Sequence, residues 1–294
     1  MWVKLGADLM VDLDSISKEM ELFHCEKEKE FYLNWSGLKD EMNLSSIYEK
    51  YRHLFREDLI LDLKAERQRA SRDKEKRIGY LQQFLASNYL EMVVKEMTDR
   101  FETIEAQETV RVDSEEIPFR FAAVRIANEP DRAVRGKIYS ARNCVIERIN
   151  VILEERMQKL HETARKLGYE DYMALYGDIK RIDLYGLEQV MRDFICRTDR
   201  LYTEKMGEFV RRKLGIEIHA AEKHDISYLF RGREFDSCFK KEEMTKTLRC
   251  TLNSIGINLD EQKNIHFDTV ERPKKSPRAF VAAIKVPDDV KLVV

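Results

Sequence analysis

The chain has 294 residues, enough for one large domain or two small ones, and its 43% hydrophobic content can supply a sizeable core. Charged residues make up 36% of it, but 52 Lys and Arg nearly cancel 54 Asp and Glu, which argues against an overall basic field drawing it to nucleic acid or anionic lipid. With only 11 Gly and 5 Pro, the composition favours long helices with charged outer faces.

In chain order, the opening stretch MWVKLGADLMVDLDS is too acidic, and too short in its apolar part, for a signal peptide. No later stretch reaches the apolar length of a membrane span, so the chain is expected to be cytoplasmic and to bind no membrane. Helices are expected over roughly Ser15 to Ser36, Ser45 to Phe55 and Asp58 to Glu105, the last broken near Ser71 or Gly79. Around DSEE, the residues Val110, Val112, Ile117, Phe119 and Phe121 alternate with polar ones, which predicts a β-hairpin near 109–122.

A long helix then runs from about Glu129, with Pro130 in its first turn, and carries Ile138, Ala141, Val145, Ile149, Ile152, Leu153, Met157, Leu160 and Ala164 at helical spacing. Asp183 is a good N-cap for a second long helix. Its Leu184, Leu187, Met191, Phe194, Ile195, Leu201, Tyr202, Met206 and Phe209 form an apolar stripe. These two helices are expected to be the backbone of the fold. Gly168, Gly215 and Gly256 each follow a periodic run and precede an apolar residue, the pattern of a left-handed C-cap.

Past Gly256 the character changes. The segment from His266 holds three of the five prolines, and its runs Ala279 to Val286 and Val290 to Val294 are rich in β-branched residues, which predicts strands. A strand needs partners for its backbone groups, so the last one is expected to present an open edge.

Few motifs carry chemistry. HETAR, His161 to Arg165, begins like the H-E-x-x-H zinc motif, but Arg165 stands where the second His belongs, and a cation there opposes a divalent ion. His219 and His224 are five apart, a poor spacing for two ligands on one helix face, and HAAEKHD reads better as a capping loop into DISYLF than as a metal loop. There is no P-loop and no G-x-G-x-x-G. FRGREFD offers cations and an acid in a turn and reads as surface salt links. The run ERPKKSPRAF offers Arg272, Lys274, Lys275 and Arg278 to a phosphate or a carboxylate, although such runs are usually solvated. The five cysteines, Cys25, Cys144, Cys196, Cys238 and Cys250, form no CxxC pair and read as reduced core thiols.

Several segments, in order, resemble the oligoendopeptidase F and thimet oligopeptidase group of zinc metallopeptidases. EFYLNWSGLKDE followed by IYEKYRHLF is similar to its N-terminal region. VDSEEIPFRFAAVRIANEPDRAVR resembles its hairpin and the long helix after it, and LGYEDYMALY its LGY-x-x-Y signature. FDTVERPKKSPRAF is similar to the segment leading into the catalytic sheet and supplies Asp268, Arg272, Lys275, Ala279 and Phe280, with Arg278 where many relatives carry Gly. The likeness covers essentially the whole chain.

The resemblance implies a peptide channel between helical walls and, in a full-length relative, a zinc ion on an H-E-x-x-H helix. No residue here matches that zinc motif, so no catalytic residue, metal ligand or cofactor is assigned to this chain. The chain is expected to stop shortly before the motif would begin. The expected fold is mainly α: an array of long helices with a hairpin near 109–122 over residues 1–257, then the first strands of an incomplete α+β catalytic region over 258–294.

Two functions stay open. One is the N-terminal, channel-wall part of a zinc-dependent oligopeptidase-like protein, inactive alone, with Arg272 and Lys275 as candidate contacts to a peptide substrate. The other is a non-enzymatic scaffold that binds a peptide or protein partner, or a second copy of itself, through the open edge of its C-terminal strand. Nucleic-acid binding is a distant third.

Overall fold

The computed structural model describes residues 2–5 and 9–294, with side-chain surroundings from residue 16 onward. The signal-peptide reading of residues 1–15 rests on side chains outside that description. The fold is mainly α, as expected: ten α-helices and three small sheets are present among the described residues.

Strands β1 (Trp2–Leu5) and β2 (Leu9–Asp12) pair antiparallel ahead of α1 (Leu13–Trp35). Helices α2 (Leu44–Lys50), α3 (Glu57–Arg69) and α4 (Arg72–Gln107) follow. The predicted interruption lies at Ala70 and Ser71. Gly79 lies inside α4, where an added Cβ would come within 2.4 Å of the Arg181 guanidinium, so the glycine makes room for a side chain rather than ending the helix.

The hairpin β3 (Thr109–Val112) and β4 (Glu115–Pro118) pairs Val110 with Ile117. It is shorter than predicted, because Phe119 and Phe121 open α5 (Phe119–Asn128) instead of extending a strand. Pro118 has no N–H for the ladder and ends it, and Phe119, Ala122 and Ile126 then bury one helical face.

Helix α6 (Arg132–Lys166) is capped by Asp131, whose carboxylate accepts from the N–H groups of Ala133 at 2.8 Å and Val134 at 3.1 Å. Pro130 therefore sits before the cap and not in the first turn. Helices α7 (Tyr172–Lys180), α8 (Leu184–Leu214), α9 (Lys223–Phe230) and α10 (Met244–Ser254) complete the helical part. The predicted C-caps form: Gly168, Gly215 and Gly256 have φ of 74°, 69° and 85°, and the N–H of Tyr169 reaches back to the Ala164 carbonyl at 3.1 Å.

The chain divides into two compact units. One comprises Met1–Glu30, Glu41–Ile104 and Arg148–Ile195, and the other Phe31–Asp40, Glu105–Glu147 and Cys196–Val294. Residues 258–294 thus belong to the same unit as the hairpin and α5.

In the first unit, Phe23 is fully buried amid Tyr48, Tyr51, Phe55 and Phe84, with ring centroids 4.7–6.3 Å apart. Asp99 on α4 accepts from the N–H groups of Leu44 and Ser45 at 2.7 and 2.9 Å, so it covers the start of α2.

The second unit holds a three-stranded sheet, β5 (Ile265–Asp268), β6 (Phe280–Lys285) and β7 (Asp289–Val293), in the order β5-β7-β6. Here the sequence expectation is corrected. The C-terminal strand does not present an open edge: β7 is central, parallel to β5 on one side and antiparallel to β6 on the other. Its partners lie earlier in the chain, and β5 had no apolar run long enough to predict it.

A second correction concerns α8. The two long helices are expected to be the backbone of the fold, but on α8 the apolar side chains from Leu187 to Tyr202 are 45–60% exposed, and among the described residues of this helix only Met206 and Val210 are buried. Periodicity locates an apolar face without saying what covers it. A third concerns the cysteines, which form no disulfide among the described residues and are not core residues: Cys25 is half-buried and the other four are exposed.

Candidate functional site

The segment FDTVERPKKSPRAF lies in the second unit, and three of its residues meet there. Asp268, the last residue of β5, is 7% exposed and is approached by both Arg272 and Lys275. Arg272 donates through Nη1 to both carboxylate oxygens at 3.1 and 2.9 Å and to the Ser36 carbonyl at 2.9 Å. Lys275, 5% exposed, donates to three main-chain oxygens, those of Asp268 and Val270 at 2.9 Å and of Val294 at 2.8 Å, and lies 3.4 Å from the Asp268 carboxylate.

Burial pushes the Asp268 carboxyl up, but the Arg272 hydrogen bond and the charges of Lys275 and Arg272 outweigh it and hold the group below its ordinary value. The Tyr32 hydroxyl also faces this carboxylate, at 3.4 Å. Burial, and then the Asp268 charge, push the phenol up.

The end of α1 fixes the segment after Asp268. The N–H of Ser276 donates to the Trp35 carbonyl at 2.7 Å, and the Trp35 and Phe280 rings meet edge to face at 5.6 Å. Arg120 on α5 bonds the Asn34 carbonyl at 3.0 Å and the Lys274 carbonyl at 3.2 Å, clasping both strands of chain. Gly37 makes the closest approach: at φ of 71°, an added Cβ would lie 2.7 Å from the Lys275 nitrogen. Gly37→Ala is therefore expected to lower stability by about 2 kcal/mol or more, through left-handed strain and a displaced backbone, read as a lower urea midpoint.

The two candidate contacts thus have different roles. Lys275 has its three protons on main-chain oxygens and acts as a pin between β5 and the end of β7. Arg272 is fixed on one side only, since its three bonds all come from Nη1, and Nε and Nη2 make no hydrogen bond among the described residues.

Arg272 lines a groove of about 990 Å³. The groove's apolar wall comes from Phe121 and Val124 of α5, Met244 of α10, Pro273 and Pro277. Its polar lining includes Thr245, Thr269 and, at the rim, the ion pair of Lys241 with Glu271. Apolar walls with a few placed polar groups are the usual form of a binding site. The sequence reading missed the contributions of α5 and α10, because residues so far apart in sequence give no local signal that they will meet.

The other motifs take structural roles. In the first unit, His161 Nδ1 accepts from the Tyr172 N–H at 3.3 Å, which docks the start of α7. In the second, Glu222 and Asp225 form a reciprocal capping box at the start of α9, with His224 buried beside them. Arg231 pairs with Asp236 at 2.7 Å, a salt link within its own turn. Among the described residues no three His, Cys, Asp or Glu side chains converge as metal ligands would, so the residues present do not fit the zinc ion that the resemblance implies. No helix among them is long and apolar enough to cross a membrane.

Compared with known proteins, the chain matches no family model, no curated protein and no solved structure.

Proposed function

We propose that this chain is a peptide-binding helical scaffold, the channel-wall portion of an oligoendopeptidase F-like protein, which holds a peptide in the groove beside Arg272 and does not hydrolyse it alone. The observation that carries this reading is the groove itself. It joins an apolar wall to an arginine with an unused edge, within the segment whose Asp268, Arg272, Lys275, Ala279 and Phe280 carry the resemblance. A peptide brings both apolar side chains and unpaired backbone groups, and such a groove meets both needs.

The test is direct. The anisotropy of a fluorescently labelled apolar octapeptide is expected to rise saturably with added protein, while a quenched peptide stays intact with added zinc. Chelator-sensitive cleavage would contradict the claim of inactivity, and a flat anisotropy curve would contradict binding.

A second reading, a non-enzymatic scaffold that self-associates or binds a protein partner, is favoured by the exposed stripe on α8. Because β7 is paired on both sides, the contact in this reading moves from the strand edge to the helix face. Leu201, 60% exposed, gives the test. Leu201→Glu is expected to shift stability by less than about 0.5 kcal/mol. In sedimentation, the wild-type mass is expected to rise with concentration and the variant to stay monomeric. A wild type that is monomeric throughout would remove self-association.

A further inference from the structure

Arg272 lines the groove and keeps one edge of its guanidinium unpaired among the described residues. Lys275 spends its protons on the oxygens of Asp268, Val270 and Val294, and Lys241 is paired with Glu271. Arg272 is pinned through Nη1 to Asp268 and Ser36, which leaves Nε and Nη2, two parallel donors, without a partner among the described residues. Glu242 and Glu271 on the lining oppose a ligand of high negative charge such as a phosphate dianion.

One planar monoanion with two oxygens matches the remaining donors. The edge of a guanidinium binds a carboxylate through two parallel hydrogen bonds, and an arginine already held in place loses little side-chain entropy in doing so. The Thr245 and Thr269 hydroxyls, which make no hydrogen bond among the described residues, add donors on the same lining. Phe121, Val124, Met244, Pro273 and Pro277 offer an apolar surface for a side chain next to the anion.

We propose that the groove takes the C-terminal end of a peptide, with the free carboxylate on the Nε and Nη2 edge of Arg272 and an apolar last side chain against the wall formed by α5 and Met244. This inference rests on the peptide-binding reading and adds to it the end of the peptide that is recognised.

The experiment is calorimetric titration of the full chain with an acetylated alanine pentapeptide ending in phenylalanine, as the free acid and as the C-terminal amide. The acid is expected to bind at least about tenfold more tightly than the amide. Equal affinities would overturn the carboxylate assignment and leave peptide binding standing, whereas no binding of either would overturn both. Phenylpropionate alone is expected to bind at least about tenfold more weakly than the peptide acid. Equal affinity for it would make the occupant a small acid and sink the proposal.

Arg272→Lys is expected to remove the preference for acid over amide while keeping a cation beside Asp268. As a check that does not disturb that pair, Val124→Glu adds a further anion to the wall formed by α5 and is expected to weaken the acid more than the amide. If neither variant changes the ratio of the two affinities, the assignment fails.

Discussion

Lys275→Met is expected to lower the stability of the protein by about 3–5 kcal/mol, the range found when one partner of a buried ion pair is removed. Lys275 is 5% exposed, and its ammonium is the donor to the Asp268, Val270 and Val294 main-chain oxygens. Methionine fills most of the stem volume but leaves these acceptors without their donor. It also strips one of the two cations from Asp268. The urea midpoint is the measurement, and a loss under about 1 kcal/mol would mean that the cluster opens to solvent.

The second large effect is expected at Asp225. This carboxylate is fully buried and accepts from Arg135 at 2.7 Å, from Arg132 at 3.0 Å and from the Glu222 N–H at 3.0 Å. Arg135 is itself 3% exposed, bonds the carbonyls of Glu129 and Pro130, and lies over the Tyr228 ring. Burial pushes the Asp225 carboxyl up, yet the bonds from Arg132, the Glu222 N–H and Arg135 more than offset this and hold it at about 2, against an ordinary 3.8.

A carboxyl depressed in the folded state contributes stability that is fully present above its unfolded value and is lost as pH falls through the folded one. The contribution is about 2 kcal/mol, present above about pH 4 and lost between about pH 4 and 2. Asp225→Asn keeps the shape and a capping acceptor but leaves Arg135 buried beside a neutral group. It is expected to cost about 3 kcal/mol at pH 7 and to flatten the acid limb of the stability curve. A variant with the same acid limb as the wild type would place the titrating group elsewhere.

Much of this architecture could be read from residue types acting locally. The C-caps at Gly168, Gly215 and Gly256 follow from a glycine's access to positive φ, and the hairpin at Val110 and Ile117 from alternation around a turn. Reading failed where a long-range contact decides. Phe121 continued an alternating pattern yet lies in α5, because Pro118 ended the ladder. The stripe of α8 has the spacing of a core face, but spacing cannot report that its middle stays exposed.

The site was half legible. Asp268, Arg272 and Lys275 stand in one short segment of the sequence, and in the structure they meet. That Lys275 is saturated by main-chain oxygens while Arg272 keeps a free edge depends on where Ser36, Val270 and Val294 lie. The order of strands β5-β7-β6 was equally hidden, since the partner of the last strand is a four-residue segment with a charged end.

Amide hydrogen exchange of the full chain, with and without the phenylalanine-terminated pentapeptide acid, tests the central claim most directly. If the groove is a peptide site, the peptide slows exchange at residues 121–124, 241–245 and 269–278 and leaves α3 unchanged. If slowing is absent, or falls only outside those segments, the groove is not where this protein binds a peptide.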